Sequence, residues 1–127
     1  MKILLVEDDK QTADYVAKGL REQGHVVDRA DNGRDGLFLA SGEPYDVMIV
    51  DRHMPHMDGY DLAREIRRLE AAAGTAKPIP IIACTANAME SDARACLAAG
   101  MNDYIAKPVT LDDLRKALWR QSTQDIP

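Results

Sequence analysis

The chain has 127 residues, 46% of them hydrophobic and 29% charged, with 21 acidic against 16 basic side chains and a net charge of -5. That length suits one globular domain, and the acidic balance excludes a broad nucleic-acid surface, which needs clustered Lys and Arg. No apolar run approaches the roughly 20 residues of a membrane span, and "MKILLVEDD" turns acidic too early for a signal peptide, so a cytoplasmic location without a membrane partner is expected.

The first apolar run, "ILLV" (3–6), reads as a central strand and stops on Glu7-Asp8-Asp9. Residues 9–23 then place Ala13, Val16, Ala17 and Leu20 at helical spacing, with Gly24 as a stop. "VVDRA" (26–30) alternates, as strands nearer a sheet edge do, and Leu37, Phe38 and Ala40 mark a helix over 33–41. "VMIV" (47–50) is apolar throughout and runs into Asp51; Leu62, Ala63, Ile66 and Leu69 mark a helix over 59–73, which Asp58-Gly59 starts. "AAAGTAKP" (71–78) leads to "PIIACT" (80–85), then a helix over 90–99 with Ala93, Cys96 and Leu97. The short run "YIA" (104–106) and a helix over 111–120 on Leu111, Leu114, Ala117 and Leu118 complete the series. Five β-α repeats predict a parallel α/β sheet with right-handed crossovers and helices on both faces. The domain is expected over 1–121, with 122–127 as a flexible tail.

In such a sheet, ligands bind outside the carboxyl ends of the strands. Those ends carry Glu7-Asp8-Asp9, Asp51, Thr85 and, after the fifth strand, Lys107-Pro108. Taken singly, each has a plain structural reading: Asp9 as a helix cap, Thr85 as a β-branched strand residue, Lys107 as a solvated one. Together they mean more. If the first and third strands are neighbours, Glu7, Asp8 and Asp51 converge, and two carboxylates about 5 Å apart at an effective dielectric of 20 repel by roughly 3 kcal/mol. Set against a domain stability of about 5–15 kcal/mol, such a cluster calls for a compensating hard cation, Mg²⁺ above all. With Lys107, that cation keeps Asp51 ionised as a nucleophile; Mg²⁺, Lys107 and the Thr85 hydroxyl would surround the three oxygens of a phosphoryl group.

The motifs "LLVEDD", "VMIVDRHMPHMDG", "IIACTANA" and "DYIAKP", spaced by whole βα units, resemble the receiver domain of bacterial two-component response regulators over residues 1–120. The resemblance implies a flavodoxin-like fold of strand order 2-1-3-4-5, with Asp51 accepting a phosphoryl group from a phosphohistidine on a sensor histidine kinase or histidine phosphotransfer protein. It further implies that Asp8 ligates Mg²⁺ directly, Glu7 through water and the backbone carbonyl of His53 as well. Thr85 and Tyr104 match the family's switch pair, Lys107 its phosphoryl contact, and the Lys107-Pro108 bond is expected cis. Ala86 leaves a path for the donor, and His53 and Asn87 stand where the family tunes phosphoryl loss.

Residues 1–52 resemble receivers joined to winged-helix DNA-binding domains, whereas the chain from His53 resembles those of hybrid sensor kinases, which suggests a chimera joined near the third strand. The segment 90–120 lacks much of the charge pattern through which winged-helix members dimerise, so a monomer is expected. No output domain is expected after residue 121, so transcriptional control would come from a missing part or a partner.

A Mg²⁺-dependent phosphohydrolase usually has an aspartate two positions after the nucleophile, where this chain has His53. An inert docking module would lack the acidic pair, nucleophile or lysine. No GxxxxGK[ST] phosphate loop is present. The expectation is a signalling domain without a metabolic substrate, not an enzyme. Cys84 and Cys96 show no metal spacing and read as buried thiols, a disulfide being the alternative. His25, His53 and His56 read as loop residues; Met54, Met57, Met89 and Met101 read as packing, and Trp119 as core, with an interaction face as the alternative.

Overall fold

The computed structural model describes residues 1–75, 77–86 and 90–123. The apolar runs become strands and the periodic segments helices, in the order β1 (Lys2–Val6), α1 (Lys10–Glu22), β2 (Val26–Ala30), α2 (Gly33–Gly42), β3 (Val47–Asp51), α3 (Gly59–Ala73), β4 (Ile81–Thr85), α4 (Glu90–Ala98), β5 (Asp103–Ala106) and α5 (Leu111–Thr123). All strand pairs are parallel and the sheet order is β2-β1-β3-β4-β5, the flavodoxin-like arrangement expected. β1, β3 and β4 occupy the centre, which is why their side chains are apolar on both faces.

The pleat divides the core in two. Ile3, Leu5, Val47, Ile49 and Ile82 face α1 and α5, where they meet Val16, Leu20 and Leu114. Leu4, Val6, Met48, Val50 and Ile81 face the other layer, with Leu62, Ile66 and Cys96. Each fully buried Leu, Ile or Val contributes about 1.5–3 kcal/mol relative to exposure.

Helix starts and stops follow local chemistry. Asp9, Asn32 and Asp58 accept the backbone N–H three residues on, at 3.2, 2.7 and 2.9 Å, capping α1, α2 and α3. Gly74 ends α3 in the left-handed region at φ 69°, which glycine enters without a Cβ penalty.

Three large apolar residues of the helices face outward. Phe38 is 77% exposed, Leu97 64% and Trp119 66%, so none is core. In α2 the buried positions are Gly33 and Gly36, and a Cβ on Gly36 would lie 2.8 Å from Val6 Cγ2. The helix therefore meets the sheet through glycine and turns Phe38 out. In α4, Cys96 and Ala99 face inward, so Leu97, one residue and about 100° further round, does not. In α5, Leu114, Ala117, Leu118 and Gln121 are buried, which sets Trp119 on the flank. That helix also runs on to Thr123, two residues into the expected tail. Residues 124–127, Asn87 and Met89 lie outside the described residues. Met54 and Met101 are buried, as expected of packing residues. Cys84 and Cys96 are free and buried; burial foremost pushes the Cys84 thiol up to about 12, which keeps it protonated.

Candidate functional site

The register of β1 on β3 pairs Ile3 with Val47 and Val6 with Val50. One residue further, Glu7 and Asp51 stand side by side at the carboxyl end of the sheet, only 4% and 2% exposed. Asp8 turns outward yet still brings a carboxylate oxygen close: the ligand atoms of Glu7, Asp8 and Asp51 all lie within 4.8 Å of one another. The first and third strands thus deliver the acidic cluster expected of them.

The ammonium of Lys107 closes the pocket from β5, 3.1 Å from Asp51 Oδ1 and 3.3 Å from Glu7 Oε1. Its backbone is fixed to β4, because the Lys107 N–H donates to the Thr85 carbonyl at 2.7 Å, and the following Lys107-Pro108 bond is cis, as expected. The His53 N–H donates to Asp51 Oδ1 at 3.1 Å and the Asp9 N–H to Glu7 Oε2 at 3.2 Å.

Thr85 is fully buried at the end of β4. Tyr104 pairs with Ala83 across β4 and β5 and is partly exposed. Alternation along the strands puts Thr85 and Tyr104 on the same face of the sheet, opposite to the face of Asp51. Ala86, just beyond Thr85, is exposed.

The electrostatics are lopsided. Burial above all, then a hydrogen bond to Asp51, pushes the Glu7 carboxyl up to about 8. Burial alone would raise Asp51 too, but its hydrogen-bonding contacts with Glu7, the His53 N–H, Asp8 and Lys107 outweigh it and hold Asp51 below the usual carboxylate range. Burial likewise disfavours the charge on Lys107, yet the two carboxylates beside it raise it above the ordinary lysine value. Glu7 and Asp51 behave as one acidic pair holding a single proton between them. Three carboxylates against one ammonium, all donors oxygen, form a set that fits a hard divalent cation such as Mg²⁺.

Two contributors, Arg52 and Tyr60, escape the sequence reading, and Gly59 does more than start α3. Gly59 packs so tightly that a Cβ there would lie 2.8 Å from the Asp51 carbonyl oxygen and 2.9 Å from Arg52 Cα, so only glycine lets α3 start directly beneath the end of β3. Arg52 places its guanidinium 4.3 Å from the centroid of Tyr60. Eight positions separate that pair, a distance no short-range motif signals.

A five-stranded parallel sheet of order 2-1-3-4-5 with acidic residues, a lysine and a threonine at its carboxyl end defines a phosphoryl-transfer receiver architecture. Residues 3–119 match the response regulator receiver domain family, and the chain belongs to it; it is a receiver domain of two-component signalling. It is 40% identical over 114 residues to the transcriptional regulatory protein HprR of Escherichia coli (strain K12), covering 90% of this chain and 48% of that protein. The chain spans about half the length of the transcriptional regulators it matches.

The receiver domain of sensor histidine kinase PA1611 from Pseudomonas aeruginosa PAO1, solved with a magnesium ion coordinated in its active-site cleft, is 39% identical. It superposes with a TM-score of 0.83 over 94% of this chain and 95% of that one. A chain from the Saccharomyces cerevisiae co-crystal of the histidine phosphotransfer protein Ypd1 with the receiver domain of Ssk1 gives a TM-score of 0.94 at 26% identity, covering 100% and 92% of the two chains. HprR matches 90% of the chain and the PA1611 receiver 94%, so these matches lend no support to a join near β3. Among the described residues no helix is long and apolar enough to cross a membrane.

Proposed function

We propose that Asp51 is the phosphoacceptor and that Glu7, Asp8, Asp51 and the backbone carbonyl of His53 hold Mg²⁺. The observation that carries this reading is the Lys107 ammonium 3.1 Å from a carboxylate that is 2% exposed and grouped with two more. An ionised Asp51 oxygen attacks the phosphorus of a phosphohistidine; the new O–P bond forms as the P–N bond breaks, and the electron pair stays on the donor imidazole nitrogen. The His53 N–H and Lys107 hold Asp51 Oδ1, which fixes the carboxylate's orientation before reaction. Lys107 and the hydroxyl of Thr85 then stabilise the phosphoryl oxygens, and Thr85 and Tyr104 form the switch that carries the change to the opposite face of the sheet. Mg²⁺, when bound, neutralises charge developing on the phosphoryl group.

The donor is a sensor histidine kinase or a histidine phosphotransfer protein. A net charge of -5 supports the view that no nucleic acid binds through this domain. The working unit is residues 1–121, a cytoplasmic monomer that catalyses its own phosphorylation and dephosphorylation and converts no metabolite.

Incubation with Mg²⁺ and acetyl phosphate should add one acid-stable, base-labile phosphoryl group, and Asp51→Asn should abolish it. Labelling of that variant at the parent level would remove Asp51 from the role. Lys107→Ala should retain Mg²⁺ affinity while phosphorylation slows sharply; loss of metal binding would instead assign the lysine to the cation site.

A further inference from the structure

Arg52 stands directly after Asp51 and is bonded at every level to its surroundings. Its N–H donates to the Cys84 carbonyl on β4 at 2.9 Å, and its carbonyl accepts from the Gly59 N–H at 3.1 Å. Its guanidinium lies over the Tyr60 ring, 4.3 Å from the centroid. On its other side, Nη1 lies 2.9 Å from His53 Nδ1 and 3.3 Å from its Nε2, against the imidazole ring. Tyr60 is itself buried, and the Cys96 thiol donates to its hydroxyl at 3.7 Å. Arg52 Nε is buried with no hydrogen-bond partner among the described residues.

A lone surface arginine does not leave a guanidinium nitrogen buried and unpaired, because that arrangement is costly. Here the cost is accepted to set a planar cation between two rings at the point where β3 leaves the sheet. The peptide it flanks is the one whose N–H donates to Asp51 Oδ1 at 3.1 Å.

We propose that Arg52 is a positioning residue for phosphoryl transfer: stacked on Tyr60 and set against the His53 ring, it holds the 52–53 peptide so that the His53 N–H orients the Asp51 carboxylate. The inference rests on Asp51 being the acceptor. Arginine suits the task because its flat, always-charged group stacks and donates at once, whereas lysine keeps the charge and loses the fork.

The test uses the full chain with Mg²⁺ and acetyl phosphate, follows phosphorylation by phosphate-affinity electrophoresis, and records the ¹H–¹⁵N resonance of the His53 amide without metal. Arg52→Gln should slow phosphorylation about tenfold and shift the His53 amide, and Arg52→Lys should recover part of both. Tyr60→Leu should give a loss like that of Arg52→Gln, and the double variant should be no slower than either single one, the mark of residues acting as a unit. Because Tyr60 is buried, Tyr60→Phe, which keeps the ring, is measured alongside and should retain more activity than Tyr60→Leu. Losses that multiply, an unmoved His53 amide, or an Arg52→Gln variant as fast as the parent would overturn the proposal. If Asp51→Asn still labels, the acceptor assignment itself fails; if Asp51 alone labels and Arg52→Gln keeps the parent rate, only the role of Arg52 fails.

Discussion

Along β1 and β3 the molecule changes character within one residue. From Ile3 to Val6 and from Val47 to Val50 the side chains are apolar and sealed from water, whereas Glu7 and Asp51, at the next step, are as deeply buried but acidic. In the interior, burial stabilises the fold through the hydrophobic effect. At the strand ends the same seclusion opposes folding, because carboxylates removed from water must be neutralised or paired. One pair of strands thus holds a region selected for stability and a region that draws on that stability to keep reactive charge in place.

The largest effect is expected from the dry region. Ile49→Ala removes a fully buried side chain between β1 and β4 and should destabilise the chain by about 2–5 kcal/mol in urea unfolding. A smaller loss would mean that the core closes around the void.

Next comes the charged end, measured with a chelator present. The Glu7 carboxyl sits at about 8 in the folded chain against an ordinary 4.5, so the folded state holds that proton more tightly than the unfolded one. Its contribution is whole below about pH 4.5 and is lost as pH rises through about 8. Asp51, held below its ordinary value, runs the other way: its contribution is present above pH 3.8 and is lost as pH falls through its folded value. Unfolding free energy should therefore decline from pH 5 to 8, and Glu7→Gln should flatten that decline. A decline of equal slope in the variant would place its origin elsewhere.

Asp58→Ala removes the cap that accepts the Asp61 N–H at 2.9 Å beneath the end of β3. It should cost about 1 kcal/mol of stability, readable as a small shift in the urea midpoint. Smallest of all, Phe38→Ser on the outer side of α2 should change stability by less than about 0.5 kcal/mol; a larger loss would show that Phe38 packs in solution.

Legibility followed the same divide. Central strands announce themselves because every residue from Ile3 to Val6 and Val47 to Val50 is apolar, and an acid directly after such a run has one place to go. The acidic cluster and Lys107 were readable for that reason. Helix orientation was not readable where glycine makes the contact: Gly36 carries no hydrophobic signal, yet it is the residue of α2 that touches Val6, and Phe38 drew the eye instead. The inward side of α4 is marked by Cys96 and Ala99, small residues that a larger Leu97 outweighs in any pattern. Arg52 escaped because its partner Tyr60 is local only once the loop has folded back onto α3.

The β1–β3 alignment has a practical use. Sliding either strand by one position would exchange the side chains it gives to the two core layers and set Arg52 or Val50 opposite Glu7 in place of Asp51. Uptake of phosphate from acetyl phosphate therefore doubles as a tally of molecules whose first and third strands have found their native partners. Sampled at intervals after dilution from urea, the labelled fraction would time the closure of the sheet's centre without any spectroscopic probe.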